Sequence, residues 1–532
     1  MSRLGELAAS SAKGSFITFI GEALSLAIST AGGIVVATLL GPAEYGLQAI
    51  ALVPLGLFGL FLDWGVGAAI TRWTAKYRSE GEPWKIKELV WAGLIFKLTV
   101  GGVLSFALFL SADMVAISLL RRPEVGGLVR IVSLAILAQA ILTTSLSALA
   151  GLEKMGHRTL VHLSQALLRG LVSPILVYIG LGVTGAIIGY VLGLAAAASV
   201  GFVFTITSIR EQRTANMEVF TVRDNVKSML AFGLPLYAEG LIHGAVVQIR
   251  RILKPWFISN ELIGNYQVAV KFSTLLGLLT GSIGITLYPA FSKFNFKTEP
   301  ERTREAFRKS VRYSTMIVLP VTVALATLST PFVNTVLSGY PYAPRYVSLL
   351  VVSTVLVGTG HLSISRFFSS QGDTRNHFRR GLLGSAVLLV LSFPFIWMWK
   401  LEGFILSHIV ASIVAELFSL HVLQQKYQVT PNFKHSGRTL LCSTITSGIT
   451  YGLLYLLNLS PPILSLIVGS AIFFILYLFL APLTGSLEKS DIENLHVMFE
   501  NMAFIYPFIR LLLRFEEKIL VLISRTTEFG GM

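Results

Sequence analysis

Residues 238–281 read AEGLIHGAVVQIRRILKPWFISNELIGNYQVAVKFSTLLGLLTG, two apolar runs joined by a short break and carrying Glu239, His243, Arg250, Arg251, Lys254 and Lys271. Each run is long enough to cross a bilayer, which takes roughly 20 residues. A charge in lipid costs roughly 2.5–3.5 kcal/mol on insertion scales, so charges kept there face a protein interior or a watery cavity. At 100° per residue, Glu239, His243, Arg250 and Lys254 fall at about 0, 40, 20 and 60° around one helix. Such a stripe predicts the wall of a polar cavity.

The rest of the chain agrees with a membrane reading. Of 532 residues, 53% are apolar and 13% charged, which excludes a soluble globular chain and calls for many spans. The apolar stretch 16–40 is too long for a signal-peptide core and reads as a retained first helix. A lone cysteine, Cys442, excludes an intrachain disulfide and a cysteine-rich metal site. The formal charge of +15 raises nucleic acid as a partner, but the basic residues sit in hinges between apolar runs, so none is expected. With the N-terminus in the cytoplasm, about thirty Lys and Arg lie on that side and about five outside. Both termini are therefore expected in the cytoplasm, in a multi-pass protein of the cell (plasma or inner) membrane.

The pattern predicts an all-α polytopic membrane protein of about fourteen transmembrane helices: 15–40, 46–70, 89–110, 128–150, 159–180, 184–208, 229–258, 264–290, 311–333, 347–370, 381–399, 403–425, 439–458 and 462–482. An internal repeat organises them. Residues 46–60 (GLQAIALVPLGLFGL) align without a gap on 264–278 (GNYQVAVKFSTLLGL), matching Gly46 with Gly264 and Gly59 with Gly277. Glu153 and His157, after the fourth span, match Asp373 and His377 after the tenth. An even number of spans separates the copies, so the halves share one orientation. The expected organisation is two pseudo-symmetric six-helix lobes, 1–208 and 229–425, an inter-lobe linker 209–228, two extra C-terminal helices within 426–482 and a cytoplasmic amphipathic tail, 483–532.

No GxxxxGK[ST], HExxH or CxxC string and no nucleophile elbow occurs, so neither a cofactor nor enzymatic chemistry is expected. Gly180, Gly182 and Gly185 meet a dinucleotide-loop spacing by accident, since no strand precedes them. In the sixth span Gly185, Gly189, Gly193, Ala197 and Gly201 form a ladder suited to close helix packing. Polar residues recur at helical spacing inside other spans. Thr18, Glu22, Ser25 and Ser29 do so in the first, and His162, Gln165, Arg169 and Ser173 in the fifth. In the eighth they are Gln267, Lys271 and Thr274, and in the second Asp63 has Gly59 and Gly67 one turn to either side. Arg and Lys in a low-dielectric cleft suit phosphate, which makes Arg250, Arg251, Lys271 and Arg169, with His243 and Gln267, the candidate lining. Burial disfavours a charged carboxylate, so Asp63, Glu22 and Glu239 are the candidates for coupling to an H+ or Na+ gradient. Lys97, Arg366 and Lys254 lie near enough to span ends to snorkel to the interface. Beyond the last span, 508–525 (FIRLLLRFEEKILVLISR) puts Leu511, Phe515, Ile519 and Leu522 on one face and Arg510, Arg514 and Lys518 on another, as a helix lying on the cytoplasmic leaflet does.

LLGPAEYG (39–46), LDWGVGAAITRW (62–73) and FGLPLYAEGL (232–241), in this order and spacing, make the chain resemble the polysaccharide and O-antigen flippases of the multidrug/oligosaccharidyl-lipid/polysaccharide exporter superfamily. The resemblance implies two six-helix lobes that alternate between inward-open and outward-open states, passing a polyprenyl-(pyro)phosphate-linked oligosaccharide from the cytoplasmic to the outer leaflet. It implies as partners that lipid-linked glycan and the bilayer, and leaves open other glycan-assembly membrane proteins. Multidrug antiporters of the superfamily are the alternative, with twelve spans and acidic pockets as their usual pattern. Lipid II flippases, with fourteen spans, are another. A membrane glycosyltransferase or polymerase fits less well, because the outer loops are short and poor in carboxylates.

Overall fold

The computed structural model describes the backbone of residues 3–210, 222–499 and 506–529. The side chains of 3–17, 239, 285, 286, 289, 497–499, 508, 509 and 521–529 lie outside the described residues, as do 211–221 of the linker. The expected roles of Glu239 and Leu522 fall there.

Among the described residues every regular element is helical. Nine helices are long and apolar enough to cross a membrane, or eleven when each of two bent pairs is taken as one span. Three of the nine are 42, 56 and 54 residues long, about twice what one crossing takes at 1.5 Å per residue and roughly 30 Å of hydrocarbon. Each is interrupted at positive φ: the first at Gly41 (72°), the second at Gly180 and Gly182 (97° and 51°) and the third at Lys400 (49°). Gly41 is followed by Pro42, so a residue free to adopt the left-handed region precedes one whose φ already suits a helix start. Divided at those breaks, the helices give fourteen spans among the described residues, as the apolar runs predict.

The second span also breaks. Val53–Gly59 ends in a turn containing Asp63, Trp64 and Gly65, and the chain resumes as Val66–Glu80. Trp64 and Gly65 both carry positive φ, at 49° and 79°. The seventh span bends by 55° between Val222–Ala238 and Gly240–Phe257, and the tenth by 54° between Ala343–Thr359 and His361–Ser370, where Gly360 has φ 100°.

The chain forms two compact units, residues 1–268 with 389–404, and residues 269–388 with 405–532. The seventh span thus goes with the first six. Its attachment is by backbone: added methyl groups on Gly65 and Gly233 would each overlap the other glycine's backbone, and Tyr237 donates its hydroxyl to the Leu60 carbonyl. The glycine ladder of the sixth span packs on the fifth, with Gly193 leaving 2.9 Å between a would-be methyl and Cβ of Arg169.

The second unit is cored at its tenth-span end by Phe291, Phe307, Phe367, Phe368 and Tyr427. At its rim Asp373 accepts from Lys426 Nζ (2.8 Å), Asn376 (2.9 Å) and the Tyr427 hydroxyl (3.0 Å). Burial alone raises the Asp373 carboxyl, but those three donors outweigh it and hold the group below its usual range. Glu153, its repeat partner, pairs with Arg78 at 2.8 Å in the first unit. Exposed aromatic rings, Tyr178, Trp397 and Tyr455, sit near the ends of the fifth, eleventh and thirteenth spans, the interfacial placement of an aromatic belt.

Candidate functional site

A polar seam runs beside the second span of the first unit. Three glycines and Asp63 lie about a turn apart along it, and each faces a polar side chain from a neighbouring helix. The Gln248 amide stands 2.8 Å from where a methyl on Gly56 would sit, and Gln139 Oε1 stands 3.6 Å from the same point on Gly59. Asp63 pairs with Lys97, and Ser147 Oγ lies 3.0 Å from a would-be methyl on Gly67. The small residues flanking Asp63 let a second helix reach its carboxylate, as their spacing suggests. The carboxylate also accepts from the Gly67 amide at 3.2 Å.

Lys97 is wholly buried, at 0% exposure, and donates to Thr143 Oγ1 at 3.3 Å, while the Asp63 side chain is 43% exposed. This corrects the snorkelling expectation for Lys97. Its stem points along the packed interior of the span Pro83–Leu110, and the nearest place for its charge is the Asp63 carboxylate rather than the interface. The Oε1 atoms of Gln139 and Gln248 are buried without a hydrogen-bond partner among the described residues. Buried acceptors without donors are rare and costly, so the seam keeps hydrogen-bonding capacity in reserve.

The second feature is cationic. Arg250 is 8% exposed; its Nε donates to Ser392 Oγ at 2.8 Å and its Nη2 to the Phe404 carbonyl at 2.5 Å. Its guanidinium also lies 4.1 Å from the Phe404 ring centroid. Lys254 is buried as well, 4.9 Å from the Tyr266 ring and 5.1 Å from that of Phe404. Lys254 therefore does not snorkel either: two aromatic faces take the place of interfacial water. Arg251, between them in sequence, is exposed, as is His243. Beyond them Arg121 covers the Trp256 ring at 4.3 Å, and Arg122 binds Asn260 Oδ1 at 2.8 Å and the Ile258 carbonyl at 3.1 Å.

The remaining candidates are dispersed. Arg169 is half-buried over the Tyr190 ring at 4.6 Å. Glu22 is exposed and within electrostatic reach of His162. Gln267 is half-buried in the first unit, and Lys271 is half-buried in the second. The Glu239 side chain lies outside the described residues.

A comparison with known sequences places this architecture. The sequence profile of the polysaccharide biosynthesis protein family matches residues 35–344, more than half of the chain. The chain belongs to that family. A curated relative, the probable low-salt glycan biosynthesis flippase Agl15 of Haloferax volcanii, is 18% identical over 239 residues, 45% of this chain and 50% of the relative. The chain therefore matches about half the length of that relative. Among solved structures, lipid II flippase MurJ in an inward closed conformation superposes with a TM-score of 0.71 at 15% identity, covering 92% of this chain and 100% of that one. An inward-facing multidrug resistance MATE transporter of the MOP superfamily gives 0.59 at 14% identity, covering 76% and 94%. At such identities the likeness is one of fold, and the fold is shared with both transporters.

One cluster in this family member has no counterpart among the sequence-based candidates. Glu416, in the twelfth span, is 2% exposed and lies 3.1 Å from His361 Nδ1 and 3.2 Å from Arg380 Nη2. Glu416, a glutamate inside an apolar run, was legible as a costly residue, whereas Arg380 closes a basic hinge (371–380, QGDTRNHFRR); no helical stripe links them, because they sit on different helices.

Proposed function

We propose that this protein is a flippase that carries a polyprenyl-(pyro)phosphate-linked oligosaccharide from the cytoplasmic to the outer leaflet of the cell membrane, by alternating access of two lobes of six spans each. Family membership and fold support transport of a glycan-assembly intermediate. The observation that carries the substrate class is the trio Arg250, Arg251 and Lys254 within the last two turns of a membrane span. Arg250 and Lys254 are fixed on the Phe404 ring and set a positive field, while the exposed Arg251 offers its two-pronged donors to a phosphate. Arg169, His243, Gln267 and Lys271 are the further lining residues in this reading. The unfilled amide acceptors of Gln139 and Gln248 suit sugar hydroxyls.

Lipid II is the second reading for the cargo, favoured by the match to MurJ over 92% of the chain. Both cargoes present a pyrophosphate on a polyprenyl tail. Offering vesicles a polyprenyl-pyrophosphate oligosaccharide and lipid II in parallel separates them. Transport of the first supports our reading, transport of lipid II alone supports the second, and transport of neither by a folded protein overturns both. Coupling to H+ or Na+ through Asp63, Glu22 or Glu239 is part of the proposal, and a transport rate indifferent to both gradients removes it.

A further inference from the structure

The polar cluster of the second unit sits at a break in a span. Gly360, at φ 100°, ends one segment of the tenth span, and His361 begins the next at a 54° bend. From the twelfth span Glu416 reaches both sides of that break. Its Oε1 lies 3.0 Å from Thr359 Oγ1, and its Oε2 lies 3.1 Å from His361 Nδ1. From the eleventh span Arg380 Nη2 lies 3.2 Å from Glu416 Oε2 and 3.2 Å from the same His361 nitrogen.

These contacts cannot all be hydrogen bonds at once. His361 Nδ1 with a proton donates to Glu416 but then faces an Arg380 donor. Without that proton it accepts from Arg380 but then opposes a carboxylate oxygen 3.1 Å away. A similar conflict holds at Thr359, whose single hydroxyl proton has both the Leu356 carbonyl (2.7 Å) and Glu416 Oε1 (3.0 Å) in reach. One proton decides which pairing wins. The buried Nε of Arg380 has no hydrogen-bond partner among the described residues, so one end of that guanidinium is not tied down.

We propose that His361, Glu416 and Arg380 form a proton-binding site whose occupancy switches the pairing across the bend at Gly360. In the loaded state a proton taken from water sits on His361 Nδ1, the imidazolium pairs with Glu416, and Arg380 is displaced. On release the proton returns to water, His361 accepts from Arg380, and Arg380 bridges His361 to Glu416. His361 is the most exposed of the three, at 36% of its side chain, and so is the route by which the proton enters. The arginine makes the site unsuited to a metal cation. The other charged and titratable groups on the helices packed against the same break are these. Arg312 pairs with Glu488 (2.7 Å) and Asp491 (2.6 Å), His435 binds the Ser486 carbonyl, Arg438 lies against Gly485, and Arg366 lies against Gly284. On the eleventh span His377 faces Ser365. The use of the switch in transport rests on the flippase reading; the switch itself does not.

The test is nitrogen NMR on the full chain, 15N-labelled at histidine and held in lipid nanodiscs without substrate, with His361→Gln identifying the resonance. As pH rises, Nδ1 of His361 is expected to pass from protonated to lone-pair form. Glu416→Gln shifts that midpoint to lower pH and Arg380→Gln to higher pH. A His361 Nδ1 that stays in one state throughout, or a midpoint that Arg380→Gln leaves unmoved, overturns the proposal. Should Glu416→Gln fail to fold, the Arg380→Gln arm decides alone. Because no cargo is present, a failed flippase reading leaves this result standing, and a failed switch leaves the flippase reading standing.

Discussion

Gly46 and Gly264, paired by the internal repeat, touch each other in the folded chain. A methyl on Gly46 would overlap the Asn260 carbonyl, and one on Gly264 would overlap that of Pro42, four residues before each partner. The contact is thus reciprocal, as two copies of one motif meeting about a local two-fold axis require.

Gly46→Ala and Gly264→Ala are therefore expected to destabilise by about 1–3 kcal/mol each, the usual cost of overpacking. Gly102→Ala, which meets nothing within 4 Å, is the control. Thermal unfolding in detergent measures all three, and a Gly46→Ala melting temperature equal to that of the control contradicts the contact.

The Asp63 and Lys97 pair makes an asymmetric prediction. Asp63→Asn leaves a wholly buried ammonium without its carboxylate and should cost about 3–5 kcal/mol. Lys97→Met leaves a carboxylate that is 43% exposed and can be solvated, so it should cost less, and the double variant should recover most of the loss. Denaturation of the three proteins checks the order. If Asp63→Asn proves no worse than Lys97→Met, the pair is not holding a buried charge.

The C-terminal helix Tyr506–Phe529 is expected to undock as pH rises. Its Leu513 and Glu516 are buried, and Phe515 meets Phe479 of the fourteenth span at 5.2 Å. Burial pushes the Glu516 carboxyl up to about 8. The undocked helix ionises in the ordinary carboxylate range while the docked one stays neutral, so docking weakens from that range up to about pH 8 and is level above it. Hydrogen exchange of this helix against pH should show that trend, and Glu516→Gln should abolish it. A wild-type helix whose protection does not change with pH contradicts the buried carboxyl.

The sequence carried the fold further than the site. Long apolar runs, the Gly41–Pro42 break and the glycine ladder of the sixth span each follow from local chemistry, and each stands where its residues put it. Helical periodicity was a weaker guide to the site. The angle around a helix axis groups His243, Arg250 and Lys254, yet it does not reveal that Arg250 and Lys254 would turn onto Phe404, 150 and more residues away, while His243 stayed exposed. The C-terminal helix also makes a contact that its own sequence does not announce. Leu511 is exposed, as a leaflet-facing residue would be, while Leu513 and Glu516 face the protein. A snorkelling argument rests on distance to a span end; at Lys97 a partner across the bundle decided the outcome instead.

On the proposed function, Arg251 meets the phosphates of a polyprenyl-pyrophosphate oligosaccharide as it crosses the bilayer. The direct measurement is the exposure of a fluorescent form of that lipid, in vesicles containing the purified protein, to a membrane-impermeant quencher. Wild-type protein is expected to bring the inner-leaflet pool within reach of the quencher, and Arg251→Ala to slow this at least tenfold, about 1.4 kcal/mol, with an unchanged melting temperature. An inner-leaflet pool as protected with wild-type protein as in protein-free vesicles contradicts the account.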